Sequence, residues 1–599
     1  MPTGGGKSIT FQVFSLSTEG VCLVVTPLIA LMKDQVENLR KKGIKALAIY
    51  SGMTKHEIEV AMNNAVYGDY KFLYVSPERL SSPRFKDYFL RLKLNLITVD
   101  EAHCISQWGY DFRPSYLKIS DLRDSFPETP LLALTATATL DVVDDIQDKL
   151  KFKKKNVLVK SFIRDNLAYI VRIKDDKTGY LLDTVKKAKG SGIVYVRTRK
   201  KTKEISELLR RSNISAEYYH GGLDNEIRSL KQESWMKGET QVIVATNAFG
   251  MGIDKPDVRF VVHIDPPDSL EAYFQEAGRA GRDENKAGAV LLFNKTDKRR
   301  LRKFVTDSFP EIKTIKRVYQ ALGNYFELAV GSGIGQFHNF VITDFTRNFK
   351  LNISTVYNSI KLLQREGYIE HIEEVNNSAR VYFKVRRDEL YKFQVENSSF
   401  DAFIKLLLRS YTGLFTDYVN ISEHTLARNA KTTPETINRY LTQLSSLKII
   451  HFIPRRINPI IIYTKERVAE KQLKISADNY DKRKKRYESR VEHVINYASH
   501  ETKCRSEILL KYFGQENSGR CGKCDICLST HDSGISNYSF NLISDSITKV
   551  LQEKKLKIND LLEAINISKE KEHEAIQIAR YLLDNDIIAK NEAGKLSLN

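Results

Sequence analysis

Pro2-Thr3-Gly4-Gly5-Gly6-Lys7-Ser8, at the start of the chain, and Asp100-Glu101-Ala102-His103, behind the apolar run Leu94-Asn95-Leu96-Ile97-Thr98-Val99, decide the fold when read together. A glycine-rich turn opening a helix presents successive backbone N–H groups to phosphate oxygens. A lysine at its end neutralises them, and a following serine hydroxyl reaches Mg²⁺. A carboxylate at the tip of a buried strand completes the metal shell, and a second beside it orients or deprotonates a water. Gly4, Gly5, Gly6, Lys7, Ser8 and Asp100 are the candidate nucleotide-binding residues; Lys7, Asp100 and Glu101 are the candidate catalytic ones. Taken alone, Asp100-Glu101 has a solvated strand end as its competing reading, and His103 a satisfied core histidine. The strict phosphate-loop pattern asks for glycine where Met1 stands, and no strand precedes the turn, so the native chain is expected to begin upstream of Met1.

A chain of 599 residues exceeds what one hydrophobic core supports, about 250–300 residues, so several domains are expected. No apolar run reaches the roughly 20 residues of a membrane span, and the expected location is cytoplasmic. The formal net charge of +20 favours a polyanionic partner. Six cysteines, four of them crowded toward the C-terminus, fit a metal site in a reducing compartment better than a disulfide framework.

Short apolar strands alternate with amphipathic helices over residues 1–165 (Val21–Val25, Phe72–Val75, Leu131–Leu134, with a helix from Leu28 to Lys42). Such alternation predicts an α/β lobe with a parallel sheet covered on both faces. The pattern restarts over 166–300, with strands at Gly192–Val196, Ala216–Tyr219, Gln241–Ala245 and Phe260–His263 but no second phosphate loop. Residues 301–465 turn helical and basic. There, Asp344–Lys350 and Ser354–Leu363 read as helix–turn–helix, and Gly367–Glu370 with Ser378–Phe383 as the β-wing. A weaker copy covers Ser422–Leu447, followed by the apolar run Ile450–Tyr463. Residues 466–535 form a helical cysteine-bearing module, and 536–599 a small C-terminal helical unit with a short strand pair.

Further motifs then fall into one order. Thr26-Pro27-Leu28-Ile29-Ala30-Leu31-Met32-Lys33-Asp34-Gln35 comes first, and Asp100–Pro114 carries Ser106-Gln107-Trp108-Gly109-Tyr110-Asp111-Phe112-Arg113. Ala133-Leu134-Thr135-Ala136-Thr137, Tyr219-His220-Gly221-Gly222, Thr246–Pro256 and Gln275-Glu276-Ala277-Gly278-Arg279-Ala280-Gly281-Arg282 follow. The set resembles the RecQ-type DNA helicases of superfamily 2 over roughly residues 1–295. The resemblance implies two tandem RecA-like lobes followed by winged-helix-type and zinc-binding domains, with ATP and Mg²⁺ used in the cleft. It implies Arg282 as the arginine finger with Arg279 as its partner, and Gln275 in the nucleotide site. Ser106, Gln107, Trp108, Phe112 and Arg113 are implied as the loop coupling single-stranded DNA to hydrolysis. Tyr110 stands where that family usually has histidine. The resemblance further implies 3′ to 5′ unwinding of duplex or branched DNA in repair, recombination and replication, including the SOS response. The same resemblance implies a monomer, a bacterial nucleoid location and a single-strand-binding protein as partner.

Cys504, Cys521, Cys524 and Cys527, spaced C-x16-C-x2-C-x2-C, suit a closed tetrahedral Zn²⁺ site, with an iron–sulfur cluster or free thiols as competing readings. Three functions stay open on the residues: a DNA helicase, a nucleotide-switched DNA-binding or remodelling protein that does not separate strands, and an RNA helicase. The aromatic loop and the cysteine module favour the first.

Overall fold

The computed structural model describes residues 5–598 apart from 28, 51–52, 54, 82–86, 224, 251–254, 373–378, 416–418, 454–458, 516–518, 533–536, 569–570, 585–586 and 592–593. The chain forms two compact units, one of Met1–Arg302 with Glu488–Asn599, the other of Lys303–Tyr487.

In the first unit the glycine turn leads into α1 (Lys7–Ser17). Strands β1 (Val21–Val25), β2 (Ala46–Ile49), β3 (Phe72–Val75), β4 (Leu94–Val99) and β5 (Leu131–Ala133) form one sheet in the order β2-β3-β1-β4-β5. Every pairing in it is parallel. Successive strand residues point to opposite faces, and both faces are covered. Leu23, Val25, Leu73, Val75, Ile97 and Val99 belong to one core, while Cys22, Val24, Phe72, Tyr74 and Leu96 belong to another. That double burial makes the strands continuous apolar runs, and so legible.

The second lobe holds β6 (Leu167–Ile173), β7 (Ser191–Tyr195), β8 (Ala216–Tyr219), β9 (Val242–Ala245), β10 (Val258–His263) and β11 (Ala287–Phe293), in the order β6-β11-β10-β7-β9-β8. These pairings are parallel too. Between β10 and β11 lies α2 (Leu270–Ala277), capped by the Ser269 hydroxyl, which accepts from the Ala272 N–H at 3.2 Å. Two RecA-like parallel-sheet lobes are thus present.

Helix α3 (Lys295–Ser308) runs from the first unit into the second. There α4 (Ile342–Phe349) and α5 (Ile353–Arg365) make the expected helix–turn–helix, with the Asn352 side chain accepting from the Ser354 N–H at 2.8 Å. The wing differs from the sequence expectation. Strands β12 (Phe337–Asn339), β13 (Ile369–Ile372), β14 (Ala379–Phe383), β15 (Val419–Ile421), β16 (Ile450–Ile453) and β17 (Ile460–Tyr463) divide between two sheets. β13 pairs antiparallel with β17, whereas β14 lies between β15 and β16. The wing is therefore β13–β17, and the run Ile450–Tyr463 is two strands of different sheets. Ser378, expected in the wing, lies outside the described residues.

The reason is an insertion. Ile372 and Ile460 are direct cross-strand partners, and between them the chain builds a second helix–turn–helix of α6 (Glu423–Asn429) and α7 (Pro434–Ser446) on the sheet β15-β14-β16. The two modules have separate cores. Phe345, Val356, Ile360, Ile369, Ile461 and Tyr463 share one; Val381, Phe383, Leu426, Ile437, Leu441 and Ile450 share the other. One winged helix thus grows from the wing of another.

Helix α8 (Asp481–Ser499) returns to the first unit, where α9 (Arg505–Tyr512) and α10 (Asp525–Asp532) carry the cysteine module. The C-terminal unit has α11 (Asn537–Glu553), α12 (Ile558–Ala564), α13 (Glu572–Asp584) and the hairpin β18 (Ile588–Lys590) and β19 (Leu596–Leu598). Leu556 bridges to Leu596, so the order helix–strand–helix–helix–hairpin is that of a third winged helix. Among the described residues no helix is long and apolar enough to cross a membrane.

Because Ile372 and Ile460 already face one another, replacing residues 373–459 by an Asn-Gly turn should leave the rest folded. Thermal melting followed by circular dichroism should shift by no more than about 5 °C. The excised segment should melt cooperatively on its own; loss of a cooperative melt from the shortened protein would refute the nested arrangement.

Candidate functional site in the first unit

Gly6 takes φ +84° at the head of α1, in open space, a backbone that side-chain-bearing residues rarely adopt. The next residues, Lys7 and Ser8, begin the helix. The Ser8 hydroxyl accepts from Gln35 Nε2 at 2.8 Å, and Gln35 Oε1 accepts from the Tyr74 hydroxyl at 3.0 Å. Gln35 closes the second quoted motif, but nothing in its spacing announced that it holds the serine. Gly4 lies outside the described residues.

Asp100 caps β4, its N–H donating to the Val25 carbonyl at 2.9 Å and its carbonyl accepting from the Tyr116 hydroxyl at 3.0 Å. Glu101 sits at φ 47°, a left-handed conformation for a non-glycine residue, held by Ala102 N–H to Leu134 O and Cys104 N–H to Glu101 O, both 2.9 Å. That turn places both carboxylates in the buried cleft. Burial first, and Glu101 second, push the Asp100 carboxyl up to about 6, with Lys7 pulling the other way. Burial also raises Glu101, but Lys7, His103 and Arg279 outweigh it and leave Glu101 lowered. His103 is buried, and that burial lowers its pKa; it meets Thr135 Oγ1 at 3.0 Å and stands 3.4 Å from Glu101 Oε2.

Arg279 belongs to the other lobe, yet it helps to lower Glu101, and the Tyr110 hydroxyl of one lobe donates to Gln275 Oε1 of the other at 2.6 Å, so the lobes meet beside Glu101. Its side chain is 4% exposed, and Nε and Nη1 find no hydrogen-bond partner among the described residues. Arg282 lies close enough to the Tyr195 phenol to act on it, as Arg279 does. The turn bearing both arginines is gripped from the interlobe linker. Arg164 Nη2 donates to Gly281 O at 2.7 Å, and Asn166 Nδ2 donates to the same oxygen at 2.6 Å. No sequence signal marked Arg164 or Asn166.

The aromatic loop is tied down at several points. Ser106 Oγ donates to Asp145 Oδ2 at 2.6 Å and accepts from the Trp108 N–H at 3.1 Å. A Cβ on Gly109 would collide with the His103 carbonyl, which explains the glycine. Arg113 donates to Asp111 Oδ2 at 3.2 Å and to the Pro27 carbonyl at 3.3 Å. Gln107 and Phe112 lie in the same loop, and Trp108 is 44% exposed. Tyr110 stacks on His103 with centroids 4.8 Å apart, and its hydroxyl donates to Gln275 Oε1 at 2.6 Å. Gln275, expected among the nucleotide contacts, thus joins the loop to α2 across the cleft. Tyrosine in place of histidine keeps that link neutral, because burial raises its phenol well above the usual range.

The four cysteine sulfurs lie within 4.8 Å of one another. Cys504 Sγ accepts the Cys521 N–H at 3.3 Å, and Cys524 Sγ accepts the Cys527 N–H at 3.4 Å, the usual backbone support of a thiolate cluster. Four converging sulfurs, three of them buried, fit a structural zinc ion. The module is tied to the second lobe and to the linker before it. Asp525, between two ligands, receives Arg505 Nη2 at 2.9 Å and the Val171 N–H of β6 at 3.2 Å. Lys523 donates to the carbonyls of Arg164 and Asp165, and Gln515 Oε1 accepts the Phe162 N–H at 3.0 Å.

Two parallel-sheet lobes thus meet beside a glycine turn and a carboxylate pair, with Arg279 of the second lobe acting on Glu101. Family profiles agree. "DEAD/DEAH box helicase" matches residues 1–146, and "Helicase conserved C-terminal domain" matches 175–284. "RecQ helicase winged-helix domain, Bacteroidota" matches 381–454, the inserted module, and "RecQ zinc-binding" matches 463–528. The ATP-dependent DNA helicase RecQ of Bacillus subtilis is 46% identical over 299 residues, 50% of this chain and 51% of that protein. That of Haemophilus influenzae is 42% identical over 330 residues, 55% and 53% of the two chains. The RecQ-like DNA helicase blm-1 of Caenorhabditis elegans is 42% identical over 321 residues, 51% of this chain and 32% of the relative. Over these stretches the chain is similar to RecQ helicases. The match spans about half the length of the bacterial relatives.

Asp100 has a raised value in the folded chain, so the folded state binds its proton more tightly than the unfolded state. Its contribution lowers stability as pH rises from about 4 to about 6, and the loss persists above that. Asp100→Asn should therefore stabilise the nucleotide-free protein on the order of 1–3 kcal/mol at pH 8, and the gain should vanish near pH 4. Denaturant melts across that range check it; a pH-independent difference would contradict it. Metal analysis should find one zinc per chain. Stripping it, or Cys524→Ser, should lower the melting temperature by roughly 5 °C or more and open the linker 161–166 to protease.

Proposed function

We propose that this chain is an ATP-driven DNA helicase of RecQ type that moves 3′ to 5′ and separates duplex or branched DNA. The observation that carries the reading is the meeting of the two lobes beside the carboxylates: Tyr110 of one donates to Gln275 of the other at 2.6 Å, and Lys7 and Arg279, one from each lobe, both act on Glu101. A triphosphate between them would satisfy the unpaired guanidinium nitrogens of Arg279.

Backbone N–H groups of Gly4, Gly5 and Gly6 cradle the phosphates, and Lys7 neutralises them. Mg²⁺, which Ser8 and Asp100 would hold, supplies further charge neutralisation at the phosphate oxygens. Glu101, kept ionised, takes a proton from the attacking water as its oxygen bonds the γ-phosphorus. The bond to the β-phosphate oxygen breaks, and ADP leaves with the electron pair. Arg282 and Arg279 stabilise the charge spread over the phosphoryl oxygens, a task suited to planar, multi-donor cations. Trp108 and Phe112, with Ser106, Gln107 and Arg113, meet single-stranded DNA, where aromatic faces stack on any base. Gln275 links that contact to the arginine-bearing turn. Each base-pair step costs about 1.4 kcal/mol to unstack, which repeated hydrolysis supplies.

In this reading residues 1–165 and 166–300 are the motor lobes, 301–465 the winged-helix region, 466–535 the zinc module and 536–599 the C-terminal domain. The basic winged helices hold duplex DNA through phosphates, so binding weakens steeply with salt. The protein acts as a monomer in the bacterial cytoplasm, at the nucleoid, in DNA repair and recombination alongside a single-strand-binding protein.

ATP turnover and strand displacement, measured with DNA and RNA substrates, test the reading. DNA should stimulate turnover and be unwound, RNA should do neither, and Lys7→Ala should reduce both activities by roughly 100-fold or more. Stimulated turnover without strand displacement would favour a nucleotide-switched clamp instead.

A further inference from the structure

Helix α8 reaches the motor with one side chain. Arg490 donates through Nη2 to the Trp108 carbonyl of the aromatic loop, and its Nε stands 3.8 Å from Glu271 Oε1 on α2. Glu271 is buried, 4% exposed in its side chain, and its Oε2 has no hydrogen-bond partner among the described residues. The Tyr512 phenol of α9 lies beside that carboxylate, and His493, one turn along α8 from Arg490, packs edge-on against the Tyr512 ring at 5.0 Å. The junction therefore joins three parts of the chain: loop, α2 and zinc module.

What α2 carries gives the junction its consequence. Gln275, one turn beyond Glu271 on the same helix, accepts the Tyr110 hydroxyl, so the loop meets α2 at two points. One link is direct, through Tyr110. The other runs Trp108 to Arg490 to Glu271. Past the C-terminus of α2 the chain turns at Gly278 directly into Arg279 and Arg282. A guanidinium is a planar fork able to serve a carbonyl and a carboxylate together; a lysine ammonium is a point charge that serves one well.

We propose that Arg490 is a positioning residue that sets the aromatic loop against α2, so that a base seated at Trp108 shifts the arginine-bearing turn toward the nucleotide. The proposal rests on the DNA-dependent motor reading above. Because α8 continues into the second unit, the residue also lies on the covalent route between the winged helices and the motor.

Steady-state ATP turnover, titrated with a thymidine oligonucleotide, separates this role from others. For Arg490→Gln the maximum stimulated turnover should fall about tenfold, while DNA-free turnover and half-saturating DNA stay within about twofold of the wild type. Arg490→Lys should be intermediate. Adding Glu271→Gln to Arg490→Gln should recover part of the loss, since it removes the stranded buried carboxylate. A rise in half-saturating DNA at unchanged maximum would make Arg490 a phosphate contact and overturn the proposal. An equal fall in basal and stimulated turnover would make it merely structural and overturn it too. A wild type that DNA does not stimulate would instead sink the motor reading itself.

Discussion

Two carboxylates placed side by side away from water demand cations, and Asp100 and Glu101 impose that demand on the whole motor. Lys7 answers from the head of α1, on the carboxylates' own lobe. Arg279 answers from the far lobe, where it is buried with nitrogens unspent. Neither cation alone balances the pair, because Asp100 keeps a raised value while Lys7 acts on it. The left-handed backbone at Glu101 shows the same pressure in another form: local conformational energy is given up to aim a side chain inward. The cleft is thus an electrostatic arrangement before it is a binding site, and in the proposed function a polyphosphate with its metal would balance it.

Cleft chemistry of this kind is useful only if the far lobe is held in register, and the cysteine module does much of that holding. Asp525 ties it to β6, Lys523 and Gln515 to the linker, and Arg164 in that linker grips the turn of Arg279. A cysteine module this far along the chain therefore bears on the turn of Arg279 through hydrogen bonds and aromatic packing. The phenylalanine group Phe162, Phe274 and Phe513, with centroids 5.0 to 5.8 Å apart, fills the space between those bonds. The large second unit enters between α3 and α8, where Arg302 and Glu492 pair at 2.7 Å and keep its two ends side by side.

Much of this was legible beforehand, for identifiable reasons. Parallel strands buried on both faces must be apolar throughout, so Val21–Val25 and Phe72–Val75 were visible as such. Phosphate and metal chemistry tolerates few residue types, which is why Lys7, Asp100 and the four cysteines stood out. The wing was misread because β13 and β14 are adjacent in the chain and equally strand-like. Nothing local distinguishes a strand that pairs with its neighbour from one whose partner, β17, returns after a whole inserted domain. Gln35, Arg164, Asn166 and Arg490 were silent for a related cause: ordinary polar residues gain meaning only from what lies opposite them.

The amino-acid order by itself determined two α/β lobes, a triphosphate turn, a carboxylate pair, an aromatic loop and a thiolate cluster, since each rests on periodicity or spacing within a short segment. Tertiary structure alone decided that Arg279 faces Glu101, that Tyr110 reaches Gln275, that one winged helix grows from another's wing, and that the zinc module clamps the linker. Those are pairings between distant segments, selected by which buried charges and unpaired strand edges can satisfy one another once the cores have closed.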